Sequence, residues 1–315
     1  MIVKNILPYI LTKPLEDAET IATKLAEQGF RPCNSQQLES LGWAVPAPQF
    51  DGLVYEAHAT MAMALKRQQR LLPAAVVNEY LSEEISAFVE REGHKPARAQ
   101  RQQLKEDLIQ KLLPQAFVRT QMFPLLVLPR EGLLLVLAAA TKTGDLVTSQ
   151  LRSALGSLPV VLPKTAQPVG PVMTRWLLEP TTIPQDFTLG DEVELKDPEE
   201  ESIARCRKQD LLGDEVATHI QAGKQVTKLC LIWREQISFV LEADMTIKRI
   251  RLLLEDADET PHFETAGELF AHEFAVSCTW LVPFLRDLFK AFGGLESALG
   301  ASQENAFRKS DGNSQ

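Results

Sequence analysis

The residues with the strongest chemical character in this chain are cations grouped in three short segments. Arg205, Arg207 and Lys208 stand in the run Arg205-Cys206-Arg207-Lys208-Gln209, Lys224 and Lys228 lie four residues apart, and Lys248, Arg249 and Arg251 form a third group. In an extended strand successive side chains point to opposite faces. Arg205 and Arg207 are therefore expected on one face, Cys206 and Lys208 on the other, and Lys224 on the same face as Lys228. Such strands suit phosphate, because each neutralised phosphate releases condensed counterions and affinity follows local charge. If the three strands are neighbours, they form one basic surface with the acids elsewhere. A further cation accompanies an aromatic: Arg119 follows two residues after Phe117. Phe117 is either a buried strand residue or an exposed ring that wedges against or stacks on bases.

Catalytic and cofactor chemistry leave no comparable pattern. The sequence has no G-x-x-x-x-G-K-[ST], no G-x-G-x-x-G, no H-E-x-x-H and no G-x-S-x-G. His58, His94, His219, His262 and His272 have no ligand spacing to a cysteine or to each other. Cys33, Cys206, Cys230 and Cys278 form no C-x-x-C pair, which fits a reducing cytosol better than a disulfide framework or a zinc site. No enzyme, catalytic residue, metal or cofactor is expected.

The net charge points the other way from the cationic strands. With 33 Lys and Arg against 42 Asp and Glu, the 315 residues sum to −9, whereas a nucleic-acid binder usually has a basic balance. The sum hides a segregation: residues 61–180 are net +5 and residues 181–300 net −11. Acids concentrate at 186–201 and 255–259, expected as solvated, solubilising surface. At 45% hydrophobic and 24% charged, the composition is that of an ordinary globular chain. The longest apolar run, Leu133 to Ala140, is far short of the roughly 20 residues of a spanning helix. Lys4 and Asn5 make the N-terminus a poor signal peptide. No membrane contact is expected.

These residues need elements to place them. A strand is expected over Ile2–Leu11 and a helix over Pro14–Gln28, with Pro14 in its first turn and Gly29 as its stop. Strand pairs follow over Leu53–Leu72, with Lys66, Gln68 and Arg70 on one face. Val76, Val77, Tyr80, Leu81, Ile85, Phe88 and Val89 form a helical stripe. After the break Gly93-His94-Lys95-Pro96, a second helix over Ala97–Leu113 carries Leu104, Leu108, Ile109 and Leu112, with Arg98, Arg101 and Lys105 on nearly the same side. The two make a helical hairpin with a cationic tip. A β-hairpin over Phe117–Leu128 and Leu133–Ala140, a helix over Thr141–Leu155 and a short strand over Leu158–Leu162 come next. Pro163–Pro171 reads as a connection. Strands at Ile203–Lys208, Lys224–Trp233, Gln236–Leu241 and Thr246–Leu254, a helix over Asp214–Gln221 and a long helix over Thr265–Phe292, kinked at Pro283, complete an α+β chain with antiparallel sheets. The domains expected are a central one (1–73 and 117–165), a helical-hairpin tip (74–116), a base (166–300) and a disordered tail (301–315).

Several short motifs occur together in order: Phe30, Pro32-Cys33, Ser35-Gln36 and Gly42-Trp43; Leu113-Pro114-Gln115-Ala116-Phe117; Leu155-Gly156-Ser157-Leu158-Pro159-Val160; Lys208-Gln209-Asp210-Leu211; and Ala222-Gly223-Lys224 with Val226-Thr227-Lys228-Leu229 and Trp233. In this order and at these spacings they resemble the RdgC family of recombination-associated proteins, over nearly the whole chain. The resemblance implies a DNA-binding protein of the bacterial cytoplasm and nucleoid without catalytic activity. It implies a protruding helical hairpin and several subdomains that form half of a ring-shaped homodimer with a basic hole. It further implies binding of double- and single-stranded DNA without sequence preference, and antagonism of the RecA recombinase by competition for DNA. On this resemblance Phe117 matches the family's hairpin aromatic, and Lys208 and Gln209 its DNA-facing Lys-Gln pair. Relatives can be basic where Gln115 stands here. The DNA-binding residues expected are thus Phe117, Arg119, Arg207, Lys208, Gln209, Lys224, Lys228, Arg98 and Arg101. The alternative is a protein-interaction module that acts on a recombination partner through its acidic surface.

Overall fold

The computed structural model describes residues 3–47, 49–253 and 263–296. In chain order these form β1 (Leu7–Leu11), α1 (Ala18–Glu27), β2 (Glu39–Ala44), β3 (Tyr55–Ala57), β4 (Thr60–Leu71), α2 (Ala74–Glu92), α3 (Arg98–Leu112), β5 (Phe117–Leu128), β6 (Leu133–Val136), α4 (Thr141–Leu155), β7 (Val160–Val161), α5 (Val169–Leu178), β8 (Phe187–Lys196), β9 (Ile203–Arg207), α6 (Asp214–Gln221), β10 (Gln225–Trp233), β11 (Ile237–Glu242), β12 (Ile247–Leu252) and α7 (Ala266–Ala291). The class is α+β, and the strand pairings within the sheets are antiparallel. The chain divides into two compact units: a smaller one of Leu25–Ala44 and Ala64–Met122, and a larger one of Met1–Lys24, Val45–Met63 and Phe123–Gln315.

In the smaller unit β2 pairs with the later part of β4, Glu39 opposite Gln69 and Ala44 opposite Ala64. Alternate β4 residues meet the same loop, as a period of two requires. The Lys66 ammonium sits 4.6 Å from the Phe30 ring centroid, Gln68 Oε1 accepts from the Cys33 N–H at 2.8 Å, and Arg70 Nε donates to the Asn34 carbonyl at 3.2 Å. Helices α2 and α3 pack through Val77, Leu81 and Leu108. Gly93 ends α2 with φ +76, its N–H donating to the Val89 carbonyl, a left-handed cap that glycine takes without a Cβ penalty. Val76 and Tyr80, placed in the stripe by their spacing, are exposed. A hairpin partner covers only the narrower Val77–Leu81–Phe88 line.

In the larger unit the end of β5 pairs with β6, β6 with β1 and β1 with β7. A second sheet has the order β12-β11-β10-β8-β9. One face of it is apolar: Val193, Leu195, Leu229, Leu231, Phe239 and Leu241 are buried in a core shared with residues of α5 and α7. The Phe284 ring of α7 meets Phe239 at 4.8 Å and Trp233 at 5.7 Å, both edge-on. Trp233 Nε1 donates to Asp287 at 3.0 Å, and Arg234 donates to Asp287 at 2.8 Å and Asp186 at 3.0 Å. The α7 helix continues through Pro283.

Three departures from expectation have simple causes. Helix α1 starts at Ala18, not Pro14. The Asp17 carboxylate accepts from the Thr20 N–H at 2.9 Å, making Asp17 the N-cap and leaving Pro14 outside. Helix α5 starts at Val169, inside the proline-rich stretch read as a connection, because Pro168 is extended and ends the break rather than prolonging it. Strands β2 and β8 have no counterpart in the expected elements. The tail 301–315 lies outside the described residues.

Candidate nucleic-acid interface

The three cationic strands are β9, β10 and β12, and they are not neighbours. Strand β8 lies between β9 and β10, and β11 between β10 and β12. Because Val193 and Leu195 face the core, Glu192 and Glu194 face the other side of the sheet, among the cations. Glu194 pairs with Arg205 at 2.6 Å and Lys228 at 3.1 Å. Glu242 pairs with Lys228 at 3.6 Å and Lys248 at 2.9 Å. Glu192 pairs with Arg207 at 3.2 Å and Arg249 at 2.8 Å. The acids therefore do not lie elsewhere: two of those in the 186–201 run, expected as solubilising surface, are interleaved with the cations.

These ion pairs set the carboxyls' charge. The hydrogen bond from Arg249, helped by the charges of Arg249 and Arg207, holds Glu192 below the usual carboxylate range against a smaller opposing effect of burial. For Glu194 burial is the largest influence and acts upward, but the hydrogen bonds and charges of Arg205 and Lys228 together outweigh it. Opposite charges beside a carboxylate favour its ionised form.

A hollow of about 280 Å³ opens on this face, with two acids, Asp191 and Glu192, and four cations, Arg207, Lys208, Arg249 and Arg251, in its lining. Two irregularities shape it. Leu189 pairs with Leu231 and Val193 with Leu229, so Gly190, Asp191 and Glu192 stand opposite Cys230 alone, a bulge that bends the strand. A Cβ at Gly190 would collide with Cys230 Sγ and lie 2.9 Å from Cys230 Cβ, so any larger residue there must push Cys230 aside. At the other side β9 ends at Arg207 and Lys208 turns left-handed, φ +55. Strict alternation places Lys208 opposite Arg207. The left-handed residue breaks the alternation and brings both into one hollow. Among the described residues neither Lys208 nor Arg251 has a carboxylate partner, in contrast to Arg207 and Arg249.

The other expected residues are distributed as follows. Lys224 precedes β10 and its ammonium donates to Ser202, at the carbonyl 3.2 Å away and at the hydroxyl. Lys228 is held between Glu194 and Glu242. Gln209 donates to Glu215 of α6 at 3.3 Å and does not line the hollow. In the smaller unit Phe117 opens β5 with 85% of its surface exposed, which settles the choice between buried and exposed ring. Arg119 is exposed two residues on, and Arg67 of β4 donates to Gln121 at 2.6 Å beside it. Arg98 and Arg101, at the start of α3, line a hollow with Lys105, Asn78, Leu81 and Gln102. The hairpin thus brings its cations together as the spacing required.

Sequence reasoning missed Glu192, Glu194, Arg67 and Gln121. A signal for the first two was present: Glu192-Val193-Glu194-Leu195-Lys196 alternates polar and apolar, the pattern of a half-buried strand, but the acid count around it masked the period. The acids at 255–259 lie outside the described residues, as does His262. Among the described residues no three His, Cys, Asp or Glu side chains group as a metal site, and no helix is long and apolar enough to cross a membrane.

Known sequences give this geometry a family. Residues 1–295 match the family described as "Putative exonuclease, RdgC". The chain is 37% identical over 294 residues to the recombination-associated protein RdgC of Pseudoalteromonas atlantica, covering 92% of this chain and 97% of the relative. It is 36% identical over 302 residues to that of Aeromonas hydrophila and 35% identical over 305 residues to that of Pseudomonas putida, each covering 94% of this chain and 99% of the relative. A match that takes in both Phe117 and the strands around Glu192, over more than nine-tenths of each chain, leaves one conclusion: the chain belongs to the RdgC family of recombination-associated proteins.

Proposed function

We propose that this protein binds DNA without sequence specificity, encircles it as a ring-shaped homodimer, and modulates homologous recombination by competing with the RecA recombinase for DNA. The observation that carries the reading is Phe117, a phenylalanine 85% exposed on a strand whose period of two puts Arg119 on the same face. An apolar ring held in water beside a cation has the chemistry to stack on bases while the cation meets the backbone. Arg119, Arg98 and Arg101 extend that contact in the smaller unit. In the larger unit Lys208 supplies it most freely, with Arg207, Gln209, Lys224 and Lys228 nearby but already engaged by Glu192, Glu215, Ser202 and the Glu194 and Glu242 carboxylates. The contacts are to phosphates and ring faces, which position without reading sequence, so both single and double strands are substrates for binding. The place of action is the cytoplasm, at the nucleoid.

In this reading the chain has no catalytic step of its own. Incubating purified protein with labelled duplex and magnesium tests that: intact strands are expected, and shortened strands would overturn it in favour of an exonuclease. Encirclement is tested by retention on closed circular duplex against linear duplex with free ends at raised salt. Retention on circles alone is expected, and equal release from both would remove the ring. A protein-interaction module acting through acidic surface is the competing reading. It gains support if RecA is captured by the protein after nuclease treatment, and the DNA-competition reading requires that capture to fail.

A further inference from the structure

We infer that the hollow on the β8–β12 sheet face is a discrete phosphate pocket, in which Lys208 and Arg251 make the contacts and Glu192 withholds Arg207 and Arg249. The inference rests on the DNA-binding reading and adds to it a second cation, from β12, and a residue that limits affinity.

The hollow draws its lining from all five strands, β8 to β12, and its volume of about 280 Å³ is many times the roughly 10–15 Å³ that one water needs. A phosphate group with part of its hydration shell therefore fits. Four cationic side chains reach it, and they fall into two kinds. Arg207 and Arg249 are both engaged by the same carboxylate, Glu192, at 3.2 and 2.8 Å. Lys208 and Arg251 are exposed and, among the described residues, unpaired. A phosphate entering the hollow finds two free cations and two whose donors are already partly used.

Glu192 has opposite consequences for structure and for binding. It ties the two edge strands of the sheet together, and it places a negative charge where the ligand's own charge must come. A carboxylate next to a phosphate is repulsive, so its presence lowers affinity while fixing the guanidinium groups. The pocket is thus built for contact that forms and releases readily, as movement along a polyanion requires. Neutralising Glu192 lowers the repulsion, leaving that of Asp191, which also lines the hollow, and releases Arg249 from its hydrogen-bonded partner.

The test is the salt dependence of binding to a fluorescein-labelled duplex of mixed sequence, read as the slope of log K against log salt. Each lost phosphate contact lowers the slope's magnitude by about 0.9. Arg251→Ala is expected to lower it by that amount, and Lys208→Asn, which keeps a residue tolerant of the left-handed turn, by the same. Glu192→Gln is expected to tighten binding several-fold and to steepen the slope. An unchanged slope in Arg251→Ala overturns the pocket, and unchanged or weaker binding in Glu192→Gln overturns the withholding role. Should Glu192→Gln lower the melting temperature so far that it is unfolded at the assay temperature, Arg249→Asn, which tolerates the left-handed backbone there (φ +53), decides instead. An unchanged slope there supports withholding, and a slope lowered by about 0.9 contradicts it. Lys142→Ala, which removes an exposed cation from α4, is the control with slope unchanged. If wild-type protein itself shows no salt-dependent binding, the DNA reading fails. If wild type binds and only Arg251→Ala is silent, the pocket alone fails.

Discussion

Glu192 and Arg249 meet at 2.8 Å although β8 and β12 are separated by two intervening strands. Three strand spacings of about 4.8 Å come to roughly 14 Å, so the pair needs two long side chains reaching toward each other over β10 and β11. Register irregularities lie on both sides of it, in β8 at Gly190–Glu192 and in β11 between Ser238 and Val240. The ion pair is a tie between strands that share no backbone hydrogen bonds, and it lies on the face that carries the cations.

Gly190→Ala tests the bulge. The new Cβ meets Cys230 Sγ and Cβ, and overpacking of this kind costs typically 1–3 kcal/mol. The melting temperature is expected to fall by several degrees in a thermal scan followed by circular dichroism, and Cys230→Ala in the same chain to recover part of the loss. A Gly190→Ala protein as stable as wild type would place the strand differently.

Acid titration tests the Glu192 pairs. Its folded carboxyl lies below its unfolded value near 4.3, so the stabilisation is complete above that pH and is lost as pH falls through the folded pKa. The melting temperature of wild type is expected to drop more steeply than that of Glu192→Gln as pH is lowered from about 4.5 toward 2.5. At neutral pH the variant is expected to be the less stable, since the two arginines lose their shared partner. Parallel curves would show that the pairs contribute nothing.

Phe117→Ser separates a binding residue from a core residue. A ring 85% exposed contributes little to the fold, so the melting temperature should move by less than about 1 °C, within the range of neutral surface changes. Base stacking is worth about 1–3 kcal/mol, so binding to single-stranded DNA should weaken by roughly 5- to 150-fold. Unaltered binding in a stably folded variant would remove Phe117 from the interface.

The elements were legible where period and punctuation agreed. Helix α4 occupies Thr141–Leu155 and α6 Asp214–Gln221 as read, because Gly156 and Gly223 stop them and their apolar residues keep the helical period. β8 was not legible, because eight acids in sixteen residues read as solvent-facing while their partners lay on strands distant in sequence. An ion pair between Glu194 and Lys228 has no local signature. The same limit applied to the site. Lys208 was found by its type and its neighbours, but its side of the strand was assigned by alternation and reversed by one left-handed residue. The exposure of Phe117 could not be deduced from a strand of twelve residues that is buried at its other end.

The central claim is phosphate contact by local cations on a chain of net charge −9. It is tested most directly by measuring the affinity of wild-type protein for mixed-sequence duplex across a salt series. The account predicts a linear fall of log K with log salt whose magnitude is several units, about 0.9 for each phosphate neutralised, and a slope smaller by about 0.9 in Lys208→Asn. Binding that is insensitive to salt, or absent at low salt, would contradict it.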